Sequence, residues 1–235
     1  MKGKLKFVVL LILIILAIIS IYIIKNPRTE LTNEEDTFRV NKIILYSSAN
    51  GIPSGELKEY WEVNIYQYTD IAIYIEKLED KTIDNIYIDD IKIEQKPQLG
   101  EANIYKKNLK DFAKPIQFDE AVDNIKINIS QSDNADFLND CSVPIVLSYI
   151  NKLEKDYIIP NNGEQLEYNE TILKRAKILT SELEAQISFN INIIDKDNSK
   201  YTCRLNLNIP IEELMNETNL VEINENIEFI RKEMN

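Results

Sequence analysis

An uninterrupted apolar segment, FVVLLILIILAIISIYII, spans residues 7–24 and contains no charged residue. At about 1.5 Å of rise per residue, a helix over this segment is roughly 27 Å long, close to the thickness of the hydrocarbon core of a bilayer. Lysines stand on both sides of it, where their long side chains can reach the lipid headgroups. The segment predicts a transmembrane helix over residues 7–24, within an N-terminal anchor of residues 1–28 that binds membrane lipid.

A cleaved signal peptide is the alternative interpretation of this segment. Signal peptides have a shorter apolar core that is followed by small residues at the cleavage site. Here large apolar residues follow Ser20 up to Lys25, which favours an uncleaved anchor. Three lysines precede the segment and Lys25 and Arg28 follow it, so the positive-inside rule predicts an inside amino terminus. We expect a single-pass cell-membrane protein whose ectodomain, from about residue 29 onward, lies outside.

The chain is acidic, with a net charge of −12 at pH 7, although residues 1–28 contain basic residues and no acidic ones. The part after the anchor is therefore more acidic than the chain as a whole. Such a surface repels the phosphates of nucleic acid and also anionic lipid headgroups. Nucleic acid is excluded as a partner, and the charge by itself indicates no more than a soluble surface.

The absence of histidine excludes Ser-His-Asp and Cys-His catalysis and imidazole metal ligands. None of the five glycines is arranged as in a phosphate-binding loop. Asp195-x-Asp197-x-Ser199 resembles the start of a calcium loop, but Lys200 and Asn206 stand where such a loop needs Gly and Glu. We therefore expect no cofactor, no metal and no catalytic residue. A carboxylate-dependent cell-wall hydrolase is the remaining enzymatic alternative.

Apolar and polar residues alternate with a period of two along most of the chain after the anchor. This pattern predicts strands with one buried face, and hence a mainly β protein. The expected fold is an N-terminal transmembrane helix followed by an antiparallel β-sandwich ectodomain, either immunoglobulin-like or jelly-roll-like. The pattern lapses near residues 96–115, which suggests a first β-rich part over residues 29–110 and a second, immunoglobulin-like part over residues 111–235. One continuous sandwich is the alternative.

The alternation also predicts local pairings in the first half of the ectodomain. Ile65 opposite Ile73 would form a hairpin with residues 68–70 as its loop, because both apolar sets then share one face. Further along, the apolar phase changes at Asp89 and Asp90, which predicts a β-bulge or a break in that strand.

In the second half, Ile193 opposite Tyr201 forms a hairpin, and residues 195–199 have good turn chemistry. Helical periodicity is scarce after the anchor. Residues 225–234 are the best candidate for a helix.

The two cysteines, Cys141 and Cys203, each alternate with apolar neighbours, so we expect both side chains to be buried. A disulfide between them, like the inter-sheet bridge of immunoglobulin domains, is one interpretation. The only tryptophan, Trp61, precedes the first cysteine instead of lying between the two, unlike the immunoglobulin pattern. Two buried thiols that behave as small hydrophobic side chains are the other interpretation.

A candidate ligand surface is formed by Tyr60, Tyr66 and Tyr74, which alternate with the apolar side chains of Trp61 and Val63. Aromatic side chains on a sandwich face can stack on sugar rings or contact another protein. Packing of these tyrosines beneath a second sheet or a covering loop is the alternative.

Short segments of the chain are similar to known sequences. YIDDIKI, residues 87–93, resembles the closing strand of jelly-roll carbohydrate-binding modules. The longer stretch IYIDDIKIEQKPQLGEANIYK, residues 86–106, and NKIILYSSAN, residues 41–50, resemble uncharacterised single-pass membrane proteins of low-GC Gram-positive, clostridia-like bacteria. The resemblance implies a bacterial cell-envelope location. We expect a non-catalytic module that binds or scaffolds another envelope protein, with a glycan as the alternative ligand.

Overall fold

The computed structural model describes residues 37–57, 60–106, 127–129, 141, 143–160, 171–212, 214 and 219–232. Most of these residues lie in strands. The strands are β1 (Phe38–Leu57), β2 (Tyr60–Lys77), β3 (Ile83–Gln95), β4 (Glu101–Lys106), β5 (Ile127–Ile129), β6 (Ile145–Pro160), β7 (Gln186–Asp195), β8 (Lys200–Asn208), β9 (Asn219–Ile223), β10 (Ile227–Glu228) and β11 (Ile230–Lys232). A helical turn, α1 (Ile172–Arg175), and a 3₁₀ turn (Thr180–Glu182) lie between β6 and β7 in the chain.

The described strands form two sheets. The first sheet has the order β10-β1-β2-β6-β4, with β9 also pairing with β1, and the second has the order β11-β8-β7-β3-β5. Every pairing between described strands is antiparallel. The predicted mainly β, antiparallel fold class is therefore confirmed. Both sheets combine strands from the first and the second half of the chain.

One hydrophobic core includes side chains of both sheets. The Phe38 ring of β1 meets the Tyr201 ring of β8 edge-on, with 5.1 Å between ring centroids, and it also meets Phe229 at 6.2 Å. Phe38 is fully buried, as are Phe189 and Leu147. Each such side chain stabilises the fold by about 1.5–3 kcal/mol relative to exposure. The two sheets thus pack on a shared core, an arrangement consistent with a β-sandwich.

Strand β2 alternates without interruption between buried odd-numbered residues and partly exposed even-numbered ones from Val63 to Ile75. The predicted hairpin with Ile65 opposite Ile73 is wrong. Ile73 lies opposite Ile43 of β1 and Ile145 of β6, and residues 68–70 are in the middle of the strand. The polar residues that suggested a loop find partners in neighbouring strands, so no turn is needed there.

The predicted irregularity in β3 is confirmed. Asp89 lies opposite Asn190, whereas Lys92 lies opposite Ser188, so β3 contains an extra residue relative to β7. Asp90, at this bulge, has a φ of +50°, in the left-handed region that Asp tolerates better than most residues. The bulge returns Ile91 to a buried position.

The β7–β8 hairpin has the predicted register, with Ile193 opposite Tyr201. Its turn is closed by the Asp195 N–H, which donates to the Ser199 carbonyl oxygen over 3.1 Å. Asn198 adopts a φ of +61°, which Asn accepts readily. Residues 195–199 are therefore a hairpin turn.

The C-terminal helix predicted over residues 225–234 is wrong. Residues 227–228 form β10 on the first sheet, and residues 230–232 form β11 on the second. The chain crosses between the sheets at Phe229, which is buried and whose N–H donates to the Phe38 carbonyl oxygen. Backbone pairing with existing edges outweighs the weak helical pattern of this segment.

Several predictions lie outside the described residues: the transmembrane helix over residues 7–24, the anchor of residues 1–28 and the boundary at residues 110 and 111. In the part of the chain that the structure describes, no helix is long and apolar enough to cross a membrane.

Candidate functional site

The three tyrosines predicted as a ligand surface project from one face of β2. Tyr60 is 43% exposed, and Tyr66 and Tyr74 are half-buried. They point away from the shared core, because the odd-numbered residues of β2 point into it. They are therefore not packed beneath the second sheet.

Further tyrosines from β1, β2 and β4 join this surface. Tyr46 of β1 lies opposite Asp70, Tyr68 lies between Tyr66 and Asp70 on β2, and Tyr105 of β4 lies opposite Ser148. We call the outward surface of the first sheet the tyrosine face, and its tyrosines are Tyr46, Tyr60, Tyr66, Tyr68, Tyr74 and Tyr105. Sequence reasoning missed Tyr46 and Tyr105 because their strands become neighbours of β2 and β6 only through the sheet order.

Exposed apolar side chains are concentrated on the tyrosine face. Eight large hydrophobic side chains are exposed among the described residues, and five of them are on this face: Tyr46, Ile52, Tyr60, Ile158 and Leu220. Tyr46 and Leu220 are opposite each other on β1 and β9. Ile52 and Ile158 lie on either side of β2, near Tyr60. Such a concentration of exposed apolar groups is typical of a surface that binds a partner.

The part of the tyrosine face over residues 146–150 of β6 is not accessible to solvent. Val146 and Ile150 are buried although they point outward from the first sheet, and Ser148 between them is 3% exposed. The Ser148 hydroxyl donates to the Asp70 carboxylate over 2.5 Å. The open part therefore lies over β1 and β9 and at the end of the sheet that carries Tyr60.

The Lys42 charge and the Tyr68 hydroxyl on the tyrosine face both have partners. The Lys42 ammonium lies 4.6 Å from the centroid of the Tyr74 ring, in a cation–π contact. Burial raises the pKa of the Tyr68 hydroxyl, and hydrogen bonding to Ser48 and Asn50 side chains opposes that rise. Tyr68 is thus a neutral hydroxyl at physiological pH and acts as a contact group.

The outward surface of the second sheet is polar and internally bonded. The Arg204 guanidinium donates to the Asp90 carboxylate over 2.6 Å, to the Ser188 hydroxyl over 2.6 Å and to the Glu94 carboxylate over 3.3 Å. The Asp89 carboxylate accepts from the side chain amides of two neighbouring asparagines of β7. These polar groups satisfy one another, so this surface stabilises the β3–β7–β8 register.

The Asp90 carboxylate of that surface offers poor acid–base chemistry. Hydrogen bonding from Lys92, helped by Arg204, holds the pKa of Asp90 below its ordinary value. Asp90 is therefore ionised at neutral pH and cannot serve as a general acid. Within the described residues, no group of three or more Cys, Asp or Glu could hold a metal ion.

Both cysteines are buried, and the structure shows them as thiols. Cys203 lies on β8 with its side chain in the core, as the alternation predicted, and burial raises the pKa of its thiol to about 11. Cys141 is also buried, as predicted, although it precedes β6, which begins at Ile145, and has a φ of +58°. A thiol with a raised pKa is a weak nucleophile at neutral pH.

Comparison of the chain with protein-family models, with curated proteins and with solved structures finds no match.

Proposed function

We propose that this chain is a membrane-anchored, extracytoplasmic module of the bacterial cell envelope that binds or scaffolds another envelope protein without catalysis. Its anchor is the apolar segment of residues 7–24, and its ectodomain is a β-sandwich of immunoglobulin-like or jelly-roll-like type. The observation that carries the binding role is the tyrosine face, with five exposed large hydrophobic side chains on one sheet surface. Tyrosine combined with apolar side chains is characteristic of protein interfaces.

A protein partner is favoured over a glycan by the composition of this face. Aliphatic side chains, including Leu220 at 63% and Ile158 at 62% exposure, stand beside the tyrosines. Aliphatic groups gain free energy when another apolar surface removes them from water, but they offer little to the hydroxyls of a sugar. The Tyr74 ring also already carries the Lys42 ammonium, which competes with a sugar ring for that position.

A carbohydrate-binding jelly-roll module that uses Tyr60, Tyr66 and Tyr74 is the alternative binding function. The bulged segment of residues 87–93, which resembles a strand of such modules, is its support from the sequence. The enzymatic alternative is a carboxylate-dependent cell-wall hydrolase, but the described carboxylates around Arg204 are held in hydrogen bonds that stabilise the sheet.

Site-directed photocrosslinking in the native membrane tests the protein-binding function. A photoreactive residue in place of Leu220 should yield one discrete adduct with an extracytoplasmic protein. Leu179 is the matched control, because it is also a leucine, at 60% exposure, but lies outside the tyrosine face. The identified partner should then bind the purified chain, and Leu220→Asp should weaken that binding at least about tenfold while Leu179→Asp should not.

Three results would contradict this function. Equal adducts from positions 220 and 179 would show that the contact is not specific to the tyrosine face. Binding to a glycan array that is lost in Tyr66→Ala and Tyr74→Ala would favour the carbohydrate alternative. Turnover of a cell-wall polymer by the purified chain would favour the hydrolase. Protease treatment of intact cells tests the anchor separately, because full protection of the ectodomain would reverse the proposed orientation.

A further inference from the structure

Strand β8 has one fully paired edge and one partly open edge. β7 pairs with β8 along its whole length, from Lys200 to Asn208. On the opposite edge, β11 is the only partner among the described strands, and it pairs with residues 200–202 alone. Within the described part of the chain, the remaining residues of β8 thus form the open edge of the second sheet.

The hydrogen-bond pattern identifies which backbone groups face this open edge. In an antiparallel pair, residues that exchange hydrogen bonds with the partner alternate with residues that do not. Asp195 donates to Ser199 at one end of the hairpin, and Ile209 donates to Ala185 at the other. Odd-numbered residues of β8 therefore bond to β7, and the N–H and C=O groups of Arg204, Asn206 and Asn208 point outward.

An apolar groove of about 360 Å³ adjoins the open edge. On one side it is lined by Leu205 and Leu207 of β8, and on the other by Val221 and Ile223 of β9. The groove lies near the place where the chain crosses from β10 in the first sheet to β11 in the second, at Phe229. A strand added to β8 would place alternate side chains into this groove.

Beyond Arg204, whose charge is engaged with Asp90 and Glu94, the open edge carries few of the features by which proteins usually protect an edge strand. Between Arg204 and Asn208 there is no charged residue, no proline and no bulge. Edges that are not meant to pair normally carry such features. The rim of the groove is acidic, with Glu212 and Glu225, and no basic residue is among the described residues that line it. The chain's own β11 places Arg231 and Lys232 beside the paired part of the same edge.

We infer that the open edge of β8 binds an extended segment of a partner protein as an added strand, with apolar residues alternating with lysine or arginine. The outward backbone groups of residues 204, 206 and 208 supply the hydrogen bonds. The groove between β8 and β9 takes the apolar side chains, and the negative potential of Glu212 and Glu225 on its rim favours a basic segment. This site is separate from the tyrosine face. A second copy of this acidic chain is disfavoured because like charges repel.

The test is amide hydrogen exchange on the full-length chain, with and without a synthetic peptide in which valine alternates with lysine and threonine. Free chain should exchange quickly at the amides of Arg204, Asn206 and Asn208. Saturating peptide should slow these three amides at least about tenfold, whereas the amides of Leu205 and Leu207, already bonded to β7, should change little. A peptide with glutamate in place of lysine is the charge control and should bind at least about tenfold more weakly.

A matched pair of variants tests the backbone contact. Asn206→Pro removes one outward N–H without removing a hydrogen bond to β7, and it should weaken peptide binding about tenfold. Asn206→Thr keeps that N–H and should bind within about twofold of the unaltered chain. Thermal unfolding of both variants shows whether they fold. Because the exchange experiment uses the unaltered chain, it remains decisive if the proline variant does not fold.

Several outcomes would overturn the inference. The three amides could be protected before peptide is added, which would show that the chain itself covers the edge. Protection that rises with chain concentration in the absence of peptide would assign the edge to a second copy. If the peptide slowed the exchange of amides at the tyrosine face and not at β8, the peptide-binding site would be the tyrosine face. Equal binding of the lysine and glutamate peptides would remove the role of the acidic rim.

Discussion

Ser47 and Thr69 lie opposite each other on β1 and β2, with 2.6 Å between their hydroxyl oxygens, and both side chains are fully buried. They are part of a polar row inside the first sheet that also contains Gln67 and Asn151, whose amide groups are joined over 3.2 Å. A polar pair in a core is tolerated because each hydroxyl satisfies the other. The pair therefore acts as a single unit in the energetics of the sheet.

Removing one member of this pair should cost more than removing both. Ser47→Ala or Thr69→Val alone leaves a buried hydroxyl without its partner, which costs about 1–3 kcal/mol in the free energy of unfolding. The double variant should be more stable than either single variant, since no orphaned hydroxyl remains. Urea unfolding of the four chains measures the coupling. Single effects that simply add would show that the two hydroxyls are independent.

The register of the β7–β8 hairpin predicts opposite responses at adjacent positions. Leu205 is buried in the core, whereas Asn206 is exposed on the other face. Leu205→Asp places an unpaired charge in the core and should reduce the free energy of unfolding by about 4 kcal/mol or more. Asn206→Asp should change it by about 0.5 kcal/mol at most. Equal losses in denaturant titrations would mean that the register is wrong.

The carboxylate of Asp195 stabilises the hairpin turn from a buried position. It accepts a hydrogen bond from the Ser199 N–H over 2.8 Å and one from the Tyr201 hydroxyl over 3.3 Å. Asp195→Ala should cost about 1–3 kcal/mol, because the Ser199 N–H then loses its acceptor. Asp195→Asn keeps a carbonyl oxygen for that N–H and should cost less. The melting temperature of Asp195→Asn should therefore be higher than that of Asp195→Ala. A lower melting temperature for Asp195→Asn would contradict this role of the carboxylate.

Gly100 has a φ of +97°, a conformation that residues with a side chain rarely adopt. A Cβ atom there would also lie 2.7 Å from the Lys152 carbonyl oxygen and collide with the Asn151 side chain. Gly100→Ala should therefore destabilise the chain by about 1–3 kcal/mol. Gly55→Ala is the control, because its added Cβ meets only the Glu62 side chain, which can move. Chemical denaturation of both variants distinguishes them, and similar losses would refute the explanation.

The buried thiol of Cys203 predicts a pH dependence. Its pKa in the folded chain is about 11, above the ordinary value of 9.0. As the pH rises from about 9 to about 11, the unfolded chain loses this proton first, so the Cys203 contribution to stability is complete below pH 9 and falls over this interval. In a Cys141→Ser background, maleimide labelling at neutral pH should be slow until denaturant is added. Rapid labelling of the folded chain would show that the thiol is accessible.

The parts of the fold that were predictable from sequence depend on short-range patterns. The pairing of Ile193 with Tyr201 follows from alternation on both strands and from good turn residues between them. The bulge at Asp90 is visible as a change of phase. In contrast, the sequence does not identify β2 as one continuous strand, because Gln67 and Thr69 are polar yet buried. The partner of Gln67, Asn151, lies 84 residues away in sequence.

The candidate site shows the same limit. Tyr60, Tyr66 and Tyr74 share a strand, so alternation alone places them on one face. Tyr46 joins them only because β1 pairs with β2, and Leu220 joins only because β9 pairs with β1. The order of strands in a sheet depends on which faces and edges pack best in three dimensions, and a single sequence carries little information on that choice.

The position of β1 in the first sheet has a consequence for the synthesis of the chain. β1 leaves the ribosome before every other described strand, but its outer edge pairs with β9 and β10, which are made near the end. β2 can pair with β1 early, since the two are neighbours in sequence, whereas the Gln67–Asn151 contact joins residues 84 positions apart. A long, strand-forming edge is thus exposed for most of translation. A chaperone that holds the chain until β9 and β10 have been made would spare the cell the aggregation that such an edge invites.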